Sequence, residues 1–256
     1  MKSLLLAILA ALLGSALAAD DLRIGVEGEY PPFSEVNTEG ELFGFDIDIA
    51  NALCEQMNRE CELVQISWDG LIPALKTGKI DAIVASMTAT EERKKSVDFT
   101  EKYYDSNGRL VLRSDKAGMI NDDNLSESLS GKVLGVQRAT THDSYATNEL
   151  ADVVGEIKRY NSQDEANLDL VAGRIDMTLA DQVAMLTGFL DTEMGEGYNF
   201  AAPAFDDTQY YGEGVSIAVR KGDDGLREAF NQAILDIRDS GVYQTINDQY
   251  FSEDIY

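Results

Sequence analysis

Two stretches of this chain recur in the same order, and that recurrence constrains the fold more than any other feature. Leu75-Lys76-Thr77-Gly78-Lys79-Ile80-Asp81 leads into Ala82 to Ser86, and Leu170-Val171-Ala172-Gly173-Arg174-Ile175-Asp176 leads into Met177 to Asp181. Upstream of each, Ile24-Gly25-Val26-Glu27 matches Leu134-Gly135-Val136-Gln137. A helix–glycine–basic–strand join is generic on its own, but two ordered matches call for two similar halves. Short apolar strands alternate with helices throughout. Leu22 to Val26 reads as a strand, and Asp46 to Asn58 carries Ala50, Leu53, Cys54 and Met57 on one helical face. Gly70 to Thr77 reads as a helix closed by Gly78, and Ile80 to Ala85 as a buried strand. The fold class is therefore α/β: two lobes, each a sheet flanked by helices.

In open α/β sheets, ligands bind beyond the carboxyl ends of the strands. Those ends are Glu27 and Ser86 in the first lobe, Gln137 and Asp181 in the second. Lobes that face each other bring all four to one cleft. From Gly212 onward the chain returns to a strand (Val215 to Val219). It then makes a helix with Leu226, Ala229, Phe230, Ala233 and Ile237 spaced for burial, which packs most simply on the first lobe. The expected division is residues 19–107 and 211–256 for the first lobe and 108–210 for the second, with crossovers near 106–110 and 209–214. Two crossing strands make a hinge.

Residues 1–18 read as a secretory signal peptide: Lys2 is followed by an apolar run, Leu4 to Leu13, and then Ala16-Leu17-Ala18. The run is too short to span a bilayer. The expected destination is the periplasm, as in a Gram-negative bacterium. Cys54 and Cys61 are the two cysteines, and an oxidising compartment makes a disulfide the default. A zinc site would need two further ligands nearby, and the one histidine, His142, is far away in sequence. Neither a metal nor a cofactor is expected. The formal net charge of −25 makes nucleic acid and anionic lipid poor partners. Its acids are dispersed, as on a solvated surface.

Five segments resemble the family 3 bacterial extracellular solute-binding proteins. They are Tyr30-Pro31-Pro32-Phe33; Gly44 to Ile49 with Leu53, Cys54 and Met57; Trp68 to Leu75; Thr88 to Arg93; and Val136 to Thr141. The resemblance spans Leu22 to Tyr256 and is nearest to the lysine/arginine/ornithine- and histidine-binding periplasmic proteins. It implies a two-lobed periplasmic-binding-protein type 2 fold, a Cys54–Cys61 disulfide, and a monomer that delivers an amino acid to an inner-membrane ABC permease. It also implies polar ligand contacts from Ser86, Thr88, Arg93, Thr141 and Asp181, with Ala85 beside them. An acid at Glu27 and aromatic groups at Tyr30 and Trp68 would face the ligand's side chain. Two positions depart from the family: Ala139 stands where glycine is usual, and His142 where a side-chain amide often touches the ligand.

The residues support the same chemistry. An amino acid needs an anion site for its carboxylate and acceptors for its ammonium. Thr88-x-x-Glu91 reads as a capping box, which sets Arg93 near a helix N-terminus, where a guanidinium can grip a carboxylate through two parallel hydrogen bonds. The alternative is a surface arginine beside Lys94 and Lys95. Thr141 reads as the cap of a helix from His142 to Leu150 that offers its hydroxyl and N–H to the same carboxylate; Asp69 is either the cap of the helix after Trp68 or a rival acid for the ligand's distal charge. Asp181 ends a buried strand, where it meets a ligand ammonium or caps the next helix. Glu27 would pair with a distal positive charge, against the plainer reading of one solvated acid among 46. Tyr30 and Trp68 would flank an aliphatic stem. If His142 faces the cleft, its protonated form would oppose a cationic ligand at low pH. The rivals are a periplasmic dehydratase-like enzyme on the same fold, with Asp181 or Glu27 as general acid, and a periplasmic amino-acid sensor.

Overall fold

A computed structural model describes residues 21–256; the expected signal peptide lies outside them. Two five-stranded sheets share one topology. In the first, Cys61–Gln65, Leu22–Val26 and Ala82–Ile83 run parallel, followed by Val215–Arg220 and Val97–Tyr104, each antiparallel to its neighbour. The second repeats the order with Glu156–Tyr160, Val133–Gln137, Met177–Asp181, Gly108–Arg113 and Tyr198–Phe205. In each sheet the fourth strand is the one the chain enters after crossing from the other lobe. A small three-stranded sheet, Glu29–Tyr30, Ser34–Val36 and Leu42–Phe43, follows the first strand.

The internal repeat has a packing cause. A Cβ on Gly25 would come within 2.4 Å of Ile80 Cδ1, and one on Gly135 within 2.5 Å of Ile175 Cδ1. In both lobes, then, the strand glycine makes room for the isoleucine two residues before the paired strand. Asp81 accepts from the Arg23 N–H at 3.1 Å, and Asp176 from the Val133 N–H at 2.9 Å, the same bond at equivalent positions. Each sheet is covered on both faces. Ile24, Phe33, Phe45, Ile49, Leu53 and Phe230 pack on one side of the first, and Leu71, Leu75, Ile80 and Ile83 on the other. Leu110, Leu134 and Leu179 lie on one side of the second, with Val111, Ala166, Leu170 and Phe189 opposite.

Helix Phe45–Gln56 follows from the stripe Ile49, Ala50, Leu53 and Cys54, all buried. Cys54, near its end, is bonded to Cys61 at the start of the next strand. The run expected as a strand over 80–85 keeps regular pairing only at Ala82–Ile83, because Ser86 turns the chain with φ 52°. The helix expected from His142 runs as Thr141–Tyr145 and continues through a wider turn, Ala146–Leu150. Two expected caps move and a third is not formed. Thr90, not Thr88, caps Glu91–Lys94 by accepting from the Arg93 N–H, and Thr88 instead bridges to Val215. Thr140, not Thr141, accepts from the Asp143 N–H. Asp69 caps nothing; it accepts from the Ser67 hydroxyl at 3.1 Å, inside the short turn Trp68–Gly70. Among the described residues no helix is long and apolar enough to cross a membrane, and no group of three or more histidine, cysteine or acidic side chains could hold a metal.

Candidate functional site

A cavity lies between the lobes. All ten expected contacts line it: Glu27, Tyr30, Trp68, Ala85, Ser86, Thr88 and Arg93 from the first lobe, and Thr141, His142 and Asp181 from the second. Gln137 and Thr140 line it as well. The lobes are closed on each other. Trp68 Nε1 donates to the Ala139 carbonyl at 3.1 Å, Arg93 Nη2 donates to the same oxygen at 3.3 Å, and Gln137 Nε2 donates to Glu27 Oε1.

Arg93 turns away from its basic neighbours. Lys94 pairs with Glu91 and Lys95 with Glu92 on the surface. The Arg93 guanidinium instead lies 5.2 Å over the Trp68 indole, with Nη1 donating to the Thr88 carbonyl at 3.0 Å. The guanidinium's hydrogen bonds go to neutral carbonyls, and no carboxylate among the described residues pairs with it. Burial lowers its pKa to about 10, so it stays charged and lacks a counter-ion.

Two carboxyls, Asp181 and Glu27, line the cavity and a third, Asp46, lies behind it; burial is the leading cause that raises each. Asp181 rises to about 6 against the helix N–H groups that stabilise its charge; its Oδ1 accepts from the Ala184 N–H at 2.9 Å. Capping and facing the cavity are therefore compatible. Glu27 is 4% exposed and rises to about 8, with the Gln137 hydrogen bond pulling the other way. It is no solvated surface acid. Asp46, fully buried behind the wall, rises to about 7. It accepts from Tyr103 Oη at 2.7 Å and from Ser86 Oγ at 2.8 Å. With its proton committed to Asp46, the Ser86 hydroxyl presents only lone pairs elsewhere, an acceptor suited to an ammonium.

His142 sits in the cavity wall with its ring 5.6 Å from that of Tyr211. Burial, and then the Arg93 charge, hold its pKa down to about 3. The expected clash of a protonated imidazole with a cationic ligand is removed across ordinary pH, because the ring remains neutral. Ala139, which stands where glycine is usual, takes φ 58° and keeps the left-handed turn.

Sequence reasoning placed Gln137 at a strand end but gave it no contact, and passed over Thr140 and Asp46. A strand-end amide carries no periodic signal. Asp46 reads as an ordinary first-turn helix acid. Only its burial beneath Ser86 distinguishes it.

The family model for bacterial extracellular solute-binding proteins, family 3, matches residues 22–253. An L-arginine-binding protein of Pseudomonas aeruginosa is 52% identical over 98% of each chain. A histidine-binding periplasmic protein of Escherichia coli is 40% identical over 99% of this chain and 96% of its own. Among solved structures, a Salmonella typhimurium periplasmic binding protein described as highly arginine-specific superposes with a TM-score of 0.82. It shares 31% identity and covers 91% of this chain and 100% of its own. An ancestral amino-acid-binding protein described as a precursor of cyclohexadienyl dehydratase superposes with a TM-score of 0.77 at 29% identity, over 91% and 95% of the two chains.

Proposed function

The chain belongs to family 3 of the bacterial extracellular solute-binding proteins, and on that footing we propose that it captures a basic L-amino acid between its lobes and delivers it to the permease of an ABC importer. One observation carries the reading. A buried guanidinium and buried carboxyls, none with an oppositely charged partner among the described residues, line the same interlobe cavity. A zwitterion satisfies both at once. Its carboxylate meets Arg93 and the helix start at Thr141, with Thr88 beside them; its ammonium meets Asp181 and Ser86. The side chain then runs along Tyr30 and Trp68 toward Glu27, where a positive end balances the remaining acid.

The relatives named as periplasmic support the same compartment for this chain, and a monomer suits a one-to-one capture. Closure makes ligand binding a population shift between open and closed lobes, and the closed form is the one a permease reads. A thermal-shift screen of the twenty amino acids plus ornithine and citrulline tests it: arginine, lysine, ornithine or histidine should raise the melting temperature by mass action. No shift with any of them overturns the proposal.

A dehydratase reading has one specific support: Glu27, raised by burial to about 8, holds its proton at neutral pH, as a general acid must. Turnover of prephenate or arogenate would establish it; binding of a basic amino acid with no turnover of either excludes it.

A further inference from the structure

We infer that like-charge repulsion between the lobes, centred where Asp164 meets Glu29 and Glu35, acts as a spring against closure that ionic strength tunes; this rests on the capture-by-closure reading above and adds a regulatory element to it. Each ion pair between two described side chains lies within one lobe. The bonds that cross the cleft, at the Ala139 carbonyl and the Gln137 amide, each have an uncharged group on one side. Opposite charges therefore do not tie the lobes together.

The charges that do meet across the boundary are of one sign. Glu29 and Glu35 are directly opposed on the antiparallel strands Glu29–Tyr30 and Ser34–Val36, so both side chains leave the same face of the small sheet. Like charges in that position already cost stability. Helix Gln163–Val171 of the other lobe packs against the first of these strands, and Asp164 stands in its first turn. Glu35 and Asp164 line one groove, where a Cβ on Gly188 would come within 2.4 Å of the Pro31 carbonyl oxygen. The lobes are thus in close contact beside these acids. No lysine, arginine or histidine lines that groove. Desolvation and then the Asp164 charge raise the Glu35 carboxyl, and desolvation and then the Glu29 charge raise that of Asp164.

Opening the lobes separates Asp164 from the two glutamates, and closing brings them back together. The repulsion is therefore a property of the closed form, and it subtracts from the affinity for any ligand that closes the lobes. Acids outnumber bases in both lobes, so the same sign continues over the two facing bodies. Salt sets the range of this force, because the screening length falls from about 30 Å at 0.01 M to about 10 Å at 0.1 M.

A double-mutant cycle on L-arginine binding, read by calorimetry at low and high salt, tests this. One arm is Asp164→Asn, and the other is Glu29→Gln combined with Glu35→Gln. Each acid's own attraction for a cationic ligand cancels in the cycle, which leaves the coupling across the boundary. In about 10 mM NaCl, Asp164→Asn should be about 3-fold more favourable to binding with both glutamates present than with both replaced. In about 300 mM NaCl that factor should fall below about 1.5. A contact that is merely structural would not respond to salt in this way. Should Asp164→Asn fail to fold, Asp164→Ser takes its place. Additive effects at low salt, or a coupling that salt leaves unchanged, overturn the spring and leave the capture reading standing. A parent protein that binds no basic amino acid overturns the capture reading, and the spring with it.

Discussion

The indole nitrogen of Trp68, on one lobe, donates at 3.1 Å to the carbonyl of Ala139 on the other. Arg93 Nη2 reaches the same oxygen at 3.3 Å, so a single peptide carbonyl ties the cleft shut at two points. That carbonyl is aimed by a left-handed backbone turn, φ 58°, which an alanine adopts only under strain.

Ala139→Gly should relieve that strain by roughly 1 kcal/mol. In a chain of this size, the melting temperature should rise by ~2–4 °C. The carbonyl contacts survive the change, since no side-chain atom of Ala139 makes them. Calorimetric melting of the two proteins checks it; a glycine variant that melts lower would show that the turn is unstrained.

The empty protein should lose stability as pH rises from about 5 to 8. Burial holds the folded carboxyls of Asp181, Asp46 and Glu27 at about 6, 7 and 8, whereas the unfolded chain releases the same protons near pH 4. Folding thus retains protons that unfolding gives up. The stabilisation is complete below about pH 4 and fades as pH passes upward through the folded values. A cationic ligand favours the ionised forms of Glu27 and Asp181, so saturating L-arginine should flatten the slope. Its binding near pH 7 should also release protons. Melting temperatures at pH 5.5 and 8, with and without arginine, and calorimetry in buffers of different ionisation enthalpy, check both parts. Equal melting at the two pH values without ligand would contradict the burial of these groups.

His142 is the chain's one histidine, so its ring signals are unambiguous in NMR. Held down to about 3 by burial and the Arg93 charge, it should show no titration between pH 8 and pH 4.5 in the ligand-free protein. A midpoint near 6.5 would put the ring in solvent.

Much of the architecture was legible because the same constraint is written twice. Gly25 over Ile80 and Gly135 over Ile175 are one packing solution, and each leaves a readable glycine and isoleucine. Arg93 and Asp181 were legible through their setting: an arginine after a helix start and an acid at the end of an apolar strand. The helix caps were displaced because each lay in a cluster of eligible residues. Thr88 and Thr90 compete, as do Thr140 and Thr141. Only the backbone angles choose between them. Gln137 was harder still. The repeat brings it to the cleft opposite Glu27, but the hydrogen bonds to Glu27 and to the Asn161 carbonyl that fix its amide leave no mark in the sequence.

Glu27→Gln should separate charge from shape at the end of the cavity. The substitution keeps a hydrogen-bonding group against Gln137 and removes the negative charge. Affinity for arginine and lysine should fall by at least about 10-fold while that for glutamine, if measurable, is spared. Calorimetry with the three ligands decides it, and equal losses for all would remove Glu27 from side-chain recognition.

The most direct test of the two-sided grip is Asp181→Asn, because asparagine can still accept from the Ala184 N–H that Asp181 now caps and only the charge is lost. Calorimetry should show the parent binding L-arginine one-to-one. The variant should be weaker by at least about 100-fold, the scale of leaving a buried ammonium unpaired, with its melting temperature without ligand no lower than the parent's. A folded Asp181→Asn protein that binds arginine as tightly as the parent would contradict the assignment of Asp181 as the ammonium's partner.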